Sequence, residues 1–421
     1  MWSMDSEQKG FPYLNPYLIW GCAALFYMYQ FVLRVAPSVL VDDLMLAFQV
    51  DASMIGSLSA ISMYSYSLLQ IPSGILADKY GVRRVILASI ILCITGTLLF
   101  ASTHTLWIAQ VSRLILGIGS SAAFLCVGKV ASLYFPSNKR ALLFGFTMAA
   151  GTVGALNGGA PLCYLVSRIG WRESLNILGA VGIFVFGLNY LSLHNKSKGS
   201  AQSPMQKSMT EGFTQVLRNK TVWINSMIAV GVYLSVSVLA DLWGPSFIIQ
   251  RFQINKQLAT ETTSLMYVGL FTGSLSLPIL SGLLRKRKPV VVFSTFSICL
   301  LLCGLLYLPG IALSTASIFL FLIGFFAGTE MLCFAGACEA SPLPLVGTVT
   351  GFVNAIVMLT GAFIQHQVGR LLDFFWHGQT LEQGIRVYSL QEFQYALVIV
   401  PGIVGLSALA SLILPESAEL N

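Results

Sequence analysis

Hydrophobic positions in this chain come in long runs, and polar positions are confined to the stretches between them. Crossing a bilayer as a helix takes about 20 predominantly apolar residues. In the first part of the chain, runs near Tyr13–Val41, Ala52–Ala77, Val85–Ser102, Leu106–Phe135, Ala141–Val166 and Arg172–Leu193 fit that length. A second set follows near Val222–Ile249, Glu261–Leu284, Val290–Leu308, Leu313–Ala337, Val346–Leu372 and Phe393–Leu414. The pattern predicts an all-α integral membrane protein with about twelve transmembrane helices. Met1–Gly10 is polar, and no short cleavable signal precedes the first run, so that span is expected to be retained.

One polar stretch is longer than the rest. From His194 to Lys220 the chain carries Lys196, Lys198, Lys207, Arg218 and Lys220 among Ser, Gln and Gly. It divides the chain into an N-terminal unit at 1–193, a cytoplasmic linker at 194–220 and a C-terminal unit at 221–421. An internal repeat supports the division, since Pro37-Ser38 recurs as Pro245-Ser246 at an offset of 208 residues. At the same offset Ile71-Pro72-Ser73-Gly74-Ile75-Leu76 returns as Ile279-Leu280-Ser281-Gly282-Leu283-Leu284. Gly145-Phe146 returns as Gly351-Phe352 at an offset of 206.

Composition sharpens this picture. Only 10% of the 421 residues are charged, where a soluble domain carries about 25%. The net charge of +7 is concentrated in short loops between apolar spans, so it is no nucleic-acid footprint. Lys and Arg in short loops mark the cytoplasmic side. Their distribution predicts both termini inside, and the short loops fit a bacterial inner membrane. Eight cysteines fall in or near apolar runs without metal-ligand spacing, and buried small hydrophobes are their expected role. No metal or cofactor is expected. There is no Walker loop for ATP-driven work, and no compact Ser/His/Asp or two-carboxylate arrangement for an enzyme.

Between the second and third runs, Gly74–Arg84 reads GILADKYGVRR. Gly81 suits the left-handed conformation that ends a helix, and Gly74 permits close backbone approach. The order of Gly74, Leu76, Asp78, Gly81, Arg83 and Arg84 resembles the signature loop of the major facilitator superfamily of secondary transporters. Arg113-Leu-Ile-Leu-Gly117-Ile-Gly119 looks like that family's helix 4 signature, and Gly151, Gly154, Gly158, Gly159 and Pro161 look like its helix 5 signature. The resemblance implies two pseudo-symmetric six-helix bundles, with Gly74, Asp78, Gly81, Arg83 and Arg84 as a conformational latch. Parallel repeats of equal polarity would produce such a pair. In the second copy Arg285-Lys286-Arg287-Lys288 replaces the pattern, so a latch is not expected there.

Charges inside the spans carry the functional reading, because a charge at mid-membrane costs about 2.5–3.5 kcal/mol and is seldom idle. Arg34, Arg113, Lys129, Asp241 and Glu330 qualify, with Glu339 at a helix end. Tyr27, Gln30 and Arg34 share a helical face, and the Arg34 guanidinium is a planar fork for carboxylate or phosphate. The stretch Tyr29–Ser38 resembles helix 1 of organic-anion and organophosphate carriers, where a comparable arginine meets the anionic substrate. The alternative is that Arg34 snorkels to the headgroups. Asp241, with Tyr233 and Ser237 on its face, lies on helix 7, where the resembled organophosphate antiporters carry a second arginine and this sequence has an acid instead. It can bind a substrate ammonium, carry the coupling proton, or pair with Arg34 across the bundles.

In the resembled fold helices 1, 4, 7 and 10 line the cavity, which implies that Glu330 faces substrate or Arg113, with a proton-carrying role open to it. Arg113 and Gly117 are assigned to the structure of helix 4, and Lys129 to snorkelling. Tyr64, Ser65, Gln70, Asn157, Asn354 and Gln365 are polar candidates for the pocket, of which Tyr64 and Asn354 join the substrate set. Together these readings predict a secondary transporter for a small organic anion or zwitterion (a carboxylate, amino acid or short peptide). It works by alternating access, coupled to protons as a symporter, and is monomeric. A membrane sensor that binds such a ligand without moving it is the competing reading.

Overall fold

The computed structural model describes residues 15–193, 209–342, 345–380 and 386–415. Among these residues the chain is a succession of helices, and the only bridge of β type joins Thr380 to Arg386. Helix 1 is Pro16–Val35, continued past Ala36 by Pro37–Phe48. Helices 2 and 3 are Ala52–Tyr80 and Val82–Ser102, and helix 4 is Leu106–Tyr134. Helix 5 is Ser137–Gly158 with Ala160–Ile169, and helix 6 is Trp171–Ser192. A short helix, Met209–Arg218, precedes Lys220; residues 194–208 of the linker lie outside the described residues. Helices 7 to 12 are Lys220–Phe252, Lys256–Leu284, Lys288–Tyr307, Leu313–Glu339, Val346–Phe375 and Leu390–Leu412. Ten of these are long and apolar enough to span a bilayer individually, and helices 2 and 5 complete the twelve.

Several helices outrun their apolar stretches. Helix 1 continues through Asp42 and Asp43 and ends where Gln49 takes a left-handed φ of 52°. Helix 8 starts at Lys256, where the Asn255 side chain accepts from the Leu258 N–H. Hydropathy marks only the lipid-facing part, whereas backbone hydrogen bonds continue until a cap stops them.

Lipid tails are as apolar as Leu, so helices associate here through close packing. A Cβ at Gly154 of helix 5 would lie 2.2 Å from the Met28 carbonyl oxygen of helix 1, which locks the signature glycines of helix 5 onto helix 1. A Cβ at Gly273 of helix 8 would lie 1.8 Å from the Phe325 oxygen of helix 10.

Helices 1, 4, 7 and 10 are all interrupted. Helix 1 breaks at Ala36, before Pro37, and helix 7 changes segment at Gly244, before Pro245. Helix 4 divides between Ser120 and Ala123, and helix 10 between Ala327 and Glu330. The breaks pair off at the 208-residue offset of the sequence repeat, Ala36 with Gly244 and Ser121 with Thr329. Interruptions at matching positions are where membrane carriers build their binding sites.

Gly273→Val should destabilise the protein by about 1–3 kcal/mol of overpacking, read as a lower melting temperature in detergent. Gly282→Val, where nothing lies within 4 Å of the added Cβ, should leave it unchanged.

Candidate functional site

Arg34 ends the first segment of helix 1, beside the Ala36 break. Helix 7 supplies its counter-charge: Arg34 Nη2 donates to Asp241 Oδ2 at 2.9 Å and also to the Tyr233 hydroxyl. Tyr267 of helix 8 donates to Asp241 Oδ1 at 2.7 Å, and the Tyr233 hydroxyl lies 3.4 Å from Oδ2. Exposure of 13% for Arg34 and 5% for Asp241 excludes snorkelling to the headgroups. Both Asp241 oxygens are therefore occupied. Arg34 is only half used, since Nε is buried without a partner and, among the described residues, Nη2 alone makes bonds.

Helix 7 reaches this geometry by widening. Val236–Trp243 is a π-helical segment, a form concentrated at functional sites. The wider turn brings Tyr233 and Asp241 onto one carboxylate contact. Ser237, expected on that face, instead turns to helix 11. There Gln365 Nε2 donates to its carbonyl oxygen at 2.6 Å, and Ser59 of helix 2 donates to Gln365 Oε1 at 2.7 Å.

Glu330 opens the second segment of helix 10. It is 6% exposed, and no hydrogen-bond donor reaches its carboxylate among the described residues. It follows directly on the Gly328–Thr329 interruption of helix 10. Arg113 is engaged elsewhere, donating to the Leu58 and Leu33 carbonyls at 3.3 and 3.4 Å and to Ser62 Oγ at 2.9 Å. It thereby joins helix 4 to helices 1 and 2. Gly117 lies at the same seam, where a Cβ would come within 2.0 Å of Ser65 Oγ.

A cavity of about 20 Å³ beside Arg34 is lined by Gln30, Met63, Tyr66 and Met358 among others. That space holds roughly one water molecule, so the centre is closed around itself. Tyr27 points away into an aromatic cluster, its ring centroid 5.6 Å from Phe124 and 5.0 Å from Phe31. Tyr64 is half-buried and is not part of the cavity wall; Tyr66 occupies that wall instead. Asn354 Nδ2 donates to Gln70 Oε1 at 2.6 Å, tying helix 11 to helix 2 next to Tyr66. Asn157 faces outward and, among the described residues, bonds only its own helix, at the Val153 carbonyl.

In the loop after helix 2, Gly81 adopts φ +88°, a conformation that favours glycine. Arg83 Nη2 donates to the Tyr190 carbonyl at 3.2 Å, and Arg84 is exposed. Lys129 is held rather than free to snorkel, donating to the Gly74 carbonyl at 3.0 Å. The side chain of Asp78 lies outside the described residues.

The family model of the Major Facilitator Superfamily matches residues 19–364. The chain belongs to that superfamily. It is 24% identical to the uncharacterized transporter YybO of Bacillus subtilis over 81% of this chain and 83% of that protein. It is 27% identical to the probable sulfoacetate transporter SauU of Cupriavidus necator, over 40% and 39% of the two chains. The probable L-galactonate transporter of Escherichia coli matches at 24%, over 49% and 48%. Among solved structures, a bacterial homologue of the human lysosomal transporter Spinster, inward-facing and occupied, superposes with a TM-score of 0.75. That match has 15% identity and covers 96% and 97% of the two chains. A D-xylose–proton symporter superposes with a TM-score of 0.72 at 15% identity, over 96% and 99%. The chain is thus an integral membrane transporter and not an enzyme.

This facilitator is closed by polar bonds at the end of the bundle opposite Gly81. The side chain of Asp51, in the cap position of helix 2, makes no cap bond. Asp373 of helix 11 substitutes for it, accepting from the Ala52 N–H at 3.2 Å and the Ser53 N–H at 2.8 Å. The Tyr388 hydroxyl bonds both Asp373 and the Ala52 amide, and Arg386 bridges Asp51 at 3.1 Å and Asp373 at 3.4 Å. Nearby, Lys256 meets Asp43 at 2.6 Å. Burial and the adjacent Asp373 charge hold the Asp51 carboxyl above the usual carboxylate range. Nothing in the hydropathy pattern marks these residues, because their chemistry depends on pairing across more than 300 positions.

Asp373→Asn should open this end. In a cysteine-depleted background, Met63→Cys should then react several-fold faster with an impermeant maleimide, while Asp51→Asn should have the smaller effect because it makes no amide bonds.

Proposed function

We propose that this transporter moves a small organic anion or zwitterion by alternating access, coupled to protons. The carrying observation is the buried Arg34, which keeps unspent donors although lipid offers them no water. A guanidinium fork of this kind suits a carboxylate. Two relatives are named for sulfoacetate and L-galactonate, both small organic anions. Gln30 and Tyr66 line the space beside the fork, with Asn354 adjacent.

In this reading residues 1–193 and 221–421 rock against each other about the Arg34–Asp241 contact, joined by 194–220. The bonds from Asp373 to the Ala52 and Ser53 amides, with the Arg386 bridge, hold the outer end shut, and Gly74, Asp78, Gly81, Arg83 and Arg84 hold the inner end in the opposite state. Both termini are cytoplasmic, in a bacterial inner membrane, and the working unit is a monomer. Glu330 and Asp241 are the carboxylates available to a coupling proton.

Arg34→Lys should reduce uptake into proteoliposomes at least about tenfold with normal membrane insertion, because a point charge does not replace a fork; full activity in that variant would refute the site. Glu330→Gln and Asp241→Asn should lose accumulation driven by a pH gradient while retaining counterflow. Normal concentrative uptake in both would remove the acids from coupling.

A further inference from the structure

Gln365 of helix 11 is fully buried and grips the π-helical segment of helix 7 near both of its ends. Its Nε2 donates to the Ser237 carbonyl at 2.6 Å, and its own carbonyl accepts from Trp243 Nε1 at 3.0 Å. In a regular α-helix the Ser237 carbonyl would take the N–H of Asp241, four residues on. Here the helical step is wider, and the Gly244 N–H closes the segment on the Leu239 carbonyl. That closure needs glycine, since a Cβ at Gly244 would lie 2.3 Å from the Leu239 oxygen. Asp241 sits inside the widened segment and meets Arg34 from there.

The rest of the Gln365 amide faces the first six helices. Its Oε1 accepts from Ser59 Oγ of helix 2 at 2.7 Å, which is the only bond of that hydroxyl among the described residues. Helix 2 is pressed against this point, because a Cβ at Gly56 would lie 2.9 Å from the Gln365 backbone oxygen. The same seam runs on to the Asp373 bond with the Ala52 amide.

We infer that Gln365 is a positioning residue that links closure of the outer end to the Arg34–Asp241 pair. An amide has one accepting and one donating end. Ser59 fixes the accepting end, which aims the donating end at the Ser237 carbonyl, keeps helix 7 wide and holds Asp241 on Arg34. When helix 2 withdraws, the amide loses that orienting bond, the turn loosens and the pair is released. This deepens the alternating-access reading above, and the link itself is measurable without transport.

The test is a set of double-mutant cycles on the full-length protein, read as unfolding equilibria in detergent. Distant sites that share no partner give additive costs. In the Gln365→Leu background the cost of Asp241→Asn should fall by at least about tenfold in the unfolding constant, roughly 1.4 kcal/mol. Glu339→Gln, which breaks the Arg287 pair at the far end of helix 10, should cost the same with and without Gln365. Ser59→Ala should couple to Asp241→Asn several-fold, and that coupling should vanish once Gln365 is Leu. Additive costs for Gln365 and Asp241, equal coupling to Glu339, or a Ser59 coupling that survives Gln365→Leu each overturn the inference and leave the Arg34 carrier standing. If Gln365→Leu does not fold, the Ser59→Ala and Asp241→Asn cycle decides, and additivity there overturns the link. Coupling as expected without Arg34-dependent uptake upholds the role of Gln365 and overturns the carrier reading.

Discussion

Arg34 and Asp241 meet at 2.9 Å between helix 1 and helix 7, where each charge alone would be expensive to hold. Removing one partner of a buried pair typically costs about 3–5 kcal/mol, because the other is left without water or counter-charge. In the proposed rocking of the first six helices against the last six, the pair therefore cannot simply separate. It has to exchange partners, and the groups placed around it, Tyr233, Tyr267 and the half-used guanidinium, are suited to exchange. The breaks in helices 1, 4, 7 and 10 surround this contact and free backbone and side chain from regular helix at the level where the charges sit.

The closed end uses a different kind of bond. Asp373 caps a helix to which it does not belong, meeting two of the N–H groups that every helix start leaves unsatisfied. Polar bonds near water are readily traded for hydration, so such a closure can be strong in shape and modest in net energy. Glycine seams such as Gly154 on Met28 and Gly273 on Phe325 offer no such trade, since opening them would leave voids. Under the proposed rocking, movement is channelled to the polar ends while the seams preserve each group of helices.

The in-span charges Arg34, Asp241 and Glu330 could be read from the chain because lipid makes every ionised group conspicuous. The aromatic residues around them could not. Tyr27 shares a helical face with Gln30 yet packs into rings, and Tyr66 rather than Tyr64 reaches the cavity wall. Tyr267 resembles any other residue of an apolar helix until helix 8 brings it to Asp241. Ser237 was misplaced for a further reason: the π-helical turn changes the angular step that face assignments assume.

Sequence alone determined that this chain lives in lipid as about twelve helices of the facilitator type. Apolar length, loop motif and glycine spacing are local properties that no partner can alter. Tertiary structure decided which charges neutralise each other, which carboxylate stays unpartnered and which end of the bundle is closed. Those outcomes depend on residues hundreds of positions apart, such as Arg34 with Asp241 and Ala52 with Asp373. Their separation in space is set by helix packing, and a one-dimensional pattern carries no record of it.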